Sequence, residues 1–492
     1  MERIPPILLV LIMLSSSCRD FLDEPPDDRV VLDNLEKASQ LLVNGYSISS
    51  PNFTDWMSDD VQFTAGTTKR INHEELYKWE DVTTGPDEQD SPDHYWFETY
   101  NAIAHANEVL AVIETLPVND EEDVAKKKAI EGEALLIRSY GHFMLVNLFA
   151  PFYNNDNLNA PGIPYITEPE TEFLAKYERK SVREVYEHIN EDLTKGLELI
   201  DDSYFLNSGK YHFTRNAALA FASRFYLYKR DEVRCLYYSN ELLGSSPAAF
   251  IRDLTSSPYR LASASSTEYP NLYTSTDEPA NLLLMRKISL VQRTDFAYGM
   301  DQSLYFSLYN SHPFGGANDL RRDLALVKGT NNVYPLRYQS LFERSSLNSN
   351  VGYPYYIHMA FTGEEVLFNR AEIKILQGDL EGALDDLQLF SERRYAAGEV
   401  QISFEALRSL YGVPEGDTSY DQRILFDYLI NERRKEFLFQ GMRWFDLKRF
   451  EIDVSHNLED GSLIELSGDD LRWVLQIPES AQEVGGLEPN PR

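Results

Sequence analysis

Two stretches of the chain repeat one pattern. ASRFYLYKRDEVRCLYYSNELL begins at Ala222, and AEIKILQGDLEGALDDLQLF begins at Ala371. Each reads as a helix, a break at an aspartate (Asp231 or Asp379) and a second helix. A small residue, Cys235 or Ala383, stands four places beyond the aspartate. A small side chain there lets paired helices approach closely, as in tetratricopeptide repeats. The full tetratricopeptide signature is absent. The pattern nevertheless predicts a mostly α chain, a tetratricopeptide-like helix-pair scaffold. It also makes Cys235 a packing thiol rather than a reactive one, since no His or Cys neighbours it in sequence.

Three further segments extend the scaffold. In SVREVYEHINEDLTKGLELI (181–200), Ser181 and Glu184 form a capping-box pattern, and Val182, Val185, Tyr186, Ile189, Leu193, Leu197 and Ile200 share one face. Residues 129–149 are apolar nearly all round, which predicts a helix buried on several sides, stopped at Pro151. Residues 94–115 carry Trp96, Tyr100, Ile103, Asn107, Leu110 and Ile113 in helical register.

Between these segments the periodicity fades. In residues 245–360 Ser, Thr, Pro, Asn and Tyr dominate, and residues 52–93 carry Gly, Thr, Pro and acids around scattered aromatics. Only short apolar pieces such as NLLLMRKISL (281–290) suggest strands. Long irregular excursions inside a helical protein usually carry function. Helical repeats are thus expected over about 33–244 and 362–450, within one large unit spanning 33–492.

The N-terminus, MERIPPILLVLIMLSSSC, has an apolar run from Ile7 to Leu14, then small residues and Cys18. That run is too short to span a bilayer, which takes about 20 residues, but it suits a signal peptide over 1–17. The stretch resembles a lipobox, with Ser15 where leucine is usual, and so predicts lipidation at Cys18. Acidic, proline-bearing RDFLDEPPDDR follows and reads as a spacer over about 18–32. If Cys18 carries lipid, Cys235 has no disulfide partner, because the chain has two cysteines. A formal charge of −33 disfavours nucleic acid, whose recognition starts with neutralised phosphates. No G-x-S-x-G, H-E-x-x-H or G-x-x-x-x-G-K motif is present, and the nine histidines lack metal-ligand spacing, so no catalytic residue, metal or cofactor is expected.

Residues 431–450, NERRKEFLFQGMRWFDLKRF, carry Glu432, Arg433, Arg434, Glu436, Gly441, Arg443, Trp444, Asp446, Leu447 and Arg449. This segment resembles the C-terminal pattern of the SusD/RagB family of outer-membrane nutrient-binding lipoproteins. CRDFLDEPP, WFETYNAIAHANEVL (96–110), EGEALLIRSYGHFMLVNLFAPF (131–152) and NDLRRD (318–323) resemble other family blocks in the same order. The final QIPESAQEVGGLEPNPR departs from the family ending. The resemblance implies loops and short strands forming a ligand face. It also implies an extracellular, lipid-anchored position at the outer membrane and a SusC-like TonB-dependent transporter as partner. Capture of an oligosaccharide, or in some members a peptide, is implied rather than catalysis. A lipid-anchored glycoside hydrolase and a protein-binding repeat adaptor are the competing readings.

In the C-terminal motif, Glu432, Arg433, Glu436, Arg443 and Asp446 alternate in charge between apolar residues, with Gly441 and Trp444 among them. This pattern predicts buried ion pairs that hold the scaffold, not a binding site. Trp96, Trp444 and Trp473 are expected in the core, Trp473 on a strand; Trp56 and Trp79 lie near loops. A glycan cleft needs flat aromatics for sugar faces and polar groups for hydroxyls. The first irregular region offers Phe63, Lys69, Arg70, Tyr77 and Trp79. The second offers Tyr269, Tyr273, Arg293, Asp295, Tyr298, Tyr309 and His312.

Overall fold

The computed structural model describes residues 32–170, 175–205, 209–291, 293–309, 316, 318–396 and 400–492. Cys18, the segments expected as signal peptide and spacer up to residue 31, and His312 lie outside them.

The architecture is mostly α-helical and tetratricopeptide-like. Successive helices pack as neighbours: Pro92–Val112 on Glu121–Phe149, and Glu121–Phe149 on Val182–Leu199. Arg215–Tyr228 packs on Glu232–Leu243, and Gly363–Leu376 on Leu380–Glu392. The Gly363–Leu376 helix also touches Glu232–Leu243, which joins the two repeated pairs.

The repeated breaks have one construction. The Asp231 amide donates to Tyr226 O at 2.9 Å, and the Asp379 amide donates to Lys374 O at 2.8 Å. The residue before each aspartate is left-handed, Arg230 at φ 58° and Gly378 at φ 81°. This is a Schellman-type stop. Each aspartate then caps the next helix, accepting from Arg234 N and Gly382 N, both at 3.1 Å. Cys235 and Ala383 are fully buried where the helices cross. Burial pushes the Cys235 thiol up to about 12.

Ser181 and Glu184 form the capping box at the head of Val182–Leu199. The 129–149 segment is buried throughout, as the last three-quarters of the Glu121–Phe149 helix. That helix ends before Pro151, and Lys448 Nζ donates to Asn147 O and Ala150 O, both at 2.8 Å. These are carbonyls that no helical amide can reach. Burial pushes this ammonium down to about 7.

The C-terminal motif forms a dry layer of charge. Arg394 reaches Glu436 at 2.9 Å and Glu364 at 2.8 Å. Arg321 reaches Glu432 and Asp319, both at 2.7 Å. Arg433 reaches Asp446 at 2.8 Å. Burial alone would raise the Glu436 carboxyl, but Arg394 and Arg321 hold it down at about 2. Trp444 is fully buried, with its ring centroid 4.5 Å from that of Trp473. Trp473 ends a 3-10 helix, Leu471–Trp473, and not a strand: Asp470 accepts from Arg472 N and turns the chain.

The same layer clamps the 50–60 segment. Arg443 pairs with Asp59 at 2.8 Å, and Arg434 pairs with Asp60 at 2.7 Å. Burial opposes the charge on Asp59, but Arg443 and Arg434 hold its carboxyl at about 2. Gly441, at φ 71°, donates its amide to Asp55. A Cβ there would lie 2.7 Å from Pro51 O, so only glycine fits both the angle and the space. The region around 52–93 is therefore not merely loop. It contains the 3-10 helix Pro51–Met57 and the short helix Ile71–Tyr77, and its Trp56 is fully buried.

Candidate functional site

The second irregular region also has more order than its composition suggests. Strands Asn281–Ile288, Gly352–Thr362 and Leu341–Arg344 form an antiparallel sheet with Gly352–Thr362 in the centre. Side chains alternate between faces along a strand, and directly paired residues share a face. Arg286 pairs with Ile357, Ile288 and Leu341 pair with Tyr355, and Glu343 pairs with Tyr353. Tyr353, Tyr355, Arg286 and Glu343 therefore share one face. Tyr356, His358 and Lys287 lie on the other and are buried. Lys287 Nζ donates to Ser47 O at 2.6 Å, and burial pushes its ammonium down to about 7.

The outer face of this sheet floors a groove of about 670 Å³. Its opposite wall is the 86–89 loop, with Arg70 below it and His94 and Glu98 from the start of the Pro92–Val112 helix. The two irregular regions thus meet across the groove. Tyr353 is 59% exposed at its edge. Tyr355 is half-buried, with the Arg286 guanidinium 4.7 Å over its ring. Tyr211 lies close by: burial first, and then Tyr355, push its phenol up. Arg286 is paired with Glu343, and Arg70 with Glu88. His94 Nδ1 donates to Pro86 O at 2.8 Å, which orients the ring. The groove therefore offers flat aromatic surface beside polar groups of both donor and acceptor kind.

Among the residues singled out from sequence, Arg70 lines this groove. Lys69 is exposed and paired with Glu459 at 2.6 Å. Phe63 is half-buried against Tyr298, with ring centroids 5.6 Å apart. Asp295 accepts from Thr67 N at 3.1 Å and Asn332 Nδ2 at 2.6 Å, tying the two irregular regions together. Arg293 donates to Leu341 O and Tyr355 O, bracing the sheet from its backbone.

The remaining candidates require correction. Tyr77, Tyr269, Tyr273, Tyr298 and Tyr309 are core rings with at most 3% exposure, so they present no face on which a ligand could stack. Tyr77 donates to Asn457 O at 2.8 Å, and Tyr309 to Lys435 O at 2.6 Å. Trp79 is also buried, donating to Met57 O at 2.9 Å and stacked on His456. It borders a separate cleft of about 360 Å³ beside the C-terminal residues. Conversely, Tyr353, Tyr355, Tyr211, Arg286 and Glu343 went unmarked. The signal for Tyr353 and Tyr355 lies in the alternation of GYPYYIHMAF, and that for Arg286 in the strand signal of NLLLMRKISL.

Among the described residues, no cluster of three or more His, Cys, Asp or Glu could hold a metal ion. No described helix is long and apolar enough to cross a membrane.

Comparison with known proteins places the chain. Residues 20–227 match the family described as "Starch-binding associating with outer membrane", and residues 364–485 match the SusD family. No curated protein matches the sequence. Solved structures share the fold at low identity. A SusD superfamily protein from Bacteroides thetaiotaomicron aligns with TM-score 0.68 and 20% identity, over 93% of this chain and 100% of its own. A SusD-like carbohydrate binding protein from Bacteroides vulgatus gives TM-score 0.60 and 17% identity, over 92% and 97%. A laminarin binding SusD-like protein gives TM-score 0.55 and 19% identity, over 93% and 99%. The helix-pair scaffold, the motif at 432–446 and the two family matches together show that this chain belongs to the SusD/RagB family.

Proposed function

We propose that this protein captures a glycan in the groove between the 86–89 loop and the three-stranded sheet, and delivers it to a SusC-like TonB-dependent transporter. A lipid on Cys18 holds it at the outer face of the outer membrane. It acts as a binder and leaves the glycan's bonds intact. The observation that carries this reading is the tyrosine-bearing sheet face, with Tyr353 open to solvent beside the Arg286–Glu343 pair. An aromatic face packs on the C–H side of a sugar, while neighbouring charged groups exchange hydrogen bonds with its hydroxyls. The family description and the carbohydrate-binding and laminarin-binding relatives support the same ligand class.

The test is calorimetry of the mature protein against a panel of oligosaccharides. Truncating an aromatic anchor costs about 2 kcal/mol, so Tyr353→Ala should weaken the best ligand roughly 30-fold. Thermal unfolding of that variant should be unchanged. Absence of binding across the panel, or full affinity in the variant, would overturn the proposal. For the anchor, radiolabelled palmitate should enter the wild-type protein and not Cys18→Ala.

A further inference from the structure

Resting on the glycan-capturing role of this groove, we infer that it admits neutral glycans and rejects those carrying sulfate or uronate groups. The groove holds two guanidinium groups, and each is already engaged: Arg70 by Glu88, and Arg286 by Glu343. Arg286 is further committed to the Tyr355 ring. Two more carboxylates line the walls, Asp87 and Glu98, and neither has an ion-pair partner among the described residues. The lining therefore carries an excess of negative charge. An anionic substituent finds no free cation there. To win an arginine it must displace a glutamate, and the displaced glutamate remains beside it.

Hydrogen-bond polarity points the same way. Asp87 and Glu98 accept only. His94 Nδ1 donates to Pro86 O, and Nε2 of the same ring is buried without a partner. The two carboxylates, acceptor groups on the helix-and-loop side of the groove, call for donors. A sugar hydroxyl donates; a sulfate ester or an ionised uronate does not. The net charge of −33 adds a long-range field that slows the approach of polyanions.

Matched polymers isolate charge from backbone shape. Laminarin, xylan, mannan and dextran would each be titrated beside their sulfated derivative at physiological salt. At least one neutral member should bind, with its sulfated partner at least about tenfold weaker, since like charges across an interface cost several kcal/mol. The double variant Asp87→Asn/Glu98→Gln should raise affinity for the sulfated partner several-fold. A sulfated member binding as tightly as its neutral parent would overturn the inference and leave the glycan-capturing role standing. So would a gap that the double variant does not narrow. Failure of every polymer, neutral and sulfated alike, would instead overturn the glycan-capturing role, and this inference with it.

Discussion

Arginine–carboxylate pairs recur in two regions of this molecule, the layer around 432–446 and the groove. They do different work because water reaches only one of them. In the layer, the side chains of Arg394, Arg433, Glu364 and Glu436 are at most 2% exposed. In the groove, Arg286 and Glu343 keep 38% and 56% of their side-chain surface. A buried ion whose partner is removed has nowhere to find solvation. An exposed ion is simply rehydrated, so its pair contributes about 0–1 kcal/mol. The first kind of pair fixes which helices meet. The second opens cheaply, which is what a site exchanging hydrogen bonds with a ligand requires.

The largest expected effect lies in the layer. Arg394→Met removes the guanidinium that Glu364 and Glu436 share, leaving them the longer ion pairs with Arg252 at 3.2 Å and Arg321 at 3.4 Å, and should lower unfolding free energy by about 3 kcal/mol. Denaturant unfolding measures this, and a loss below about 1 kcal/mol would collapse the distinction between the regions. Acid should act next. Glu436 and Asp59, both held at about 2, stabilise the fold while ionised. Their contribution is complete above the unfolded-state values of about 4 and disappears as pH falls through about 2. A melting temperature that stays level from pH 5 to pH 2 would contradict the assignment. The smallest effect on stability belongs to the groove. Arg286→Met should shift unfolding by less than about 1 kcal/mol, while weakening glycan binding measurably. A large stability loss there would make the groove pair structural as well.

The scaffold was readable because its signals are local. A capping box needs four consecutive residues, and the breaks at Asp231 and Asp379 need one turn. The ion pairs of the 432–446 segment were readable from charges set between apolar residues along two successive helices, Asp421–Glu436 and Arg443–Arg449. The proposed ligand face was not, and neighbouring residues show why. Tyr355 and Tyr356 are adjacent and chemically identical, yet one is half-buried on the sheet face that carries Tyr353 and the other is buried against Asn52 and Ser50. Strand parity decides between them, and it is visible only once the register with Arg286 and Glu343 is known. Tyr269 and Tyr309 were misplaced for a related reason. Their polar, loop-like surroundings hide the short helices Glu268–Tyr273 and Gln302–Leu308, which turn those rings inward.

The contact between Gly441 and Asp55 spans 386 positions of sequence. It sets an order of events for a chain made from its N-terminus. The 50–60 segment emerges early, with three aspartates whose partners are not yet synthesised. Arg434, Gly441 and Arg443 arrive only near the end. Until then that stretch stays open to proteases and to wrong partners. Closure of so long a loop also belongs among the slow steps of folding. Nascent chains cut short of residue 434 should therefore leave the early segment cleavable, with the complete chain closing over it.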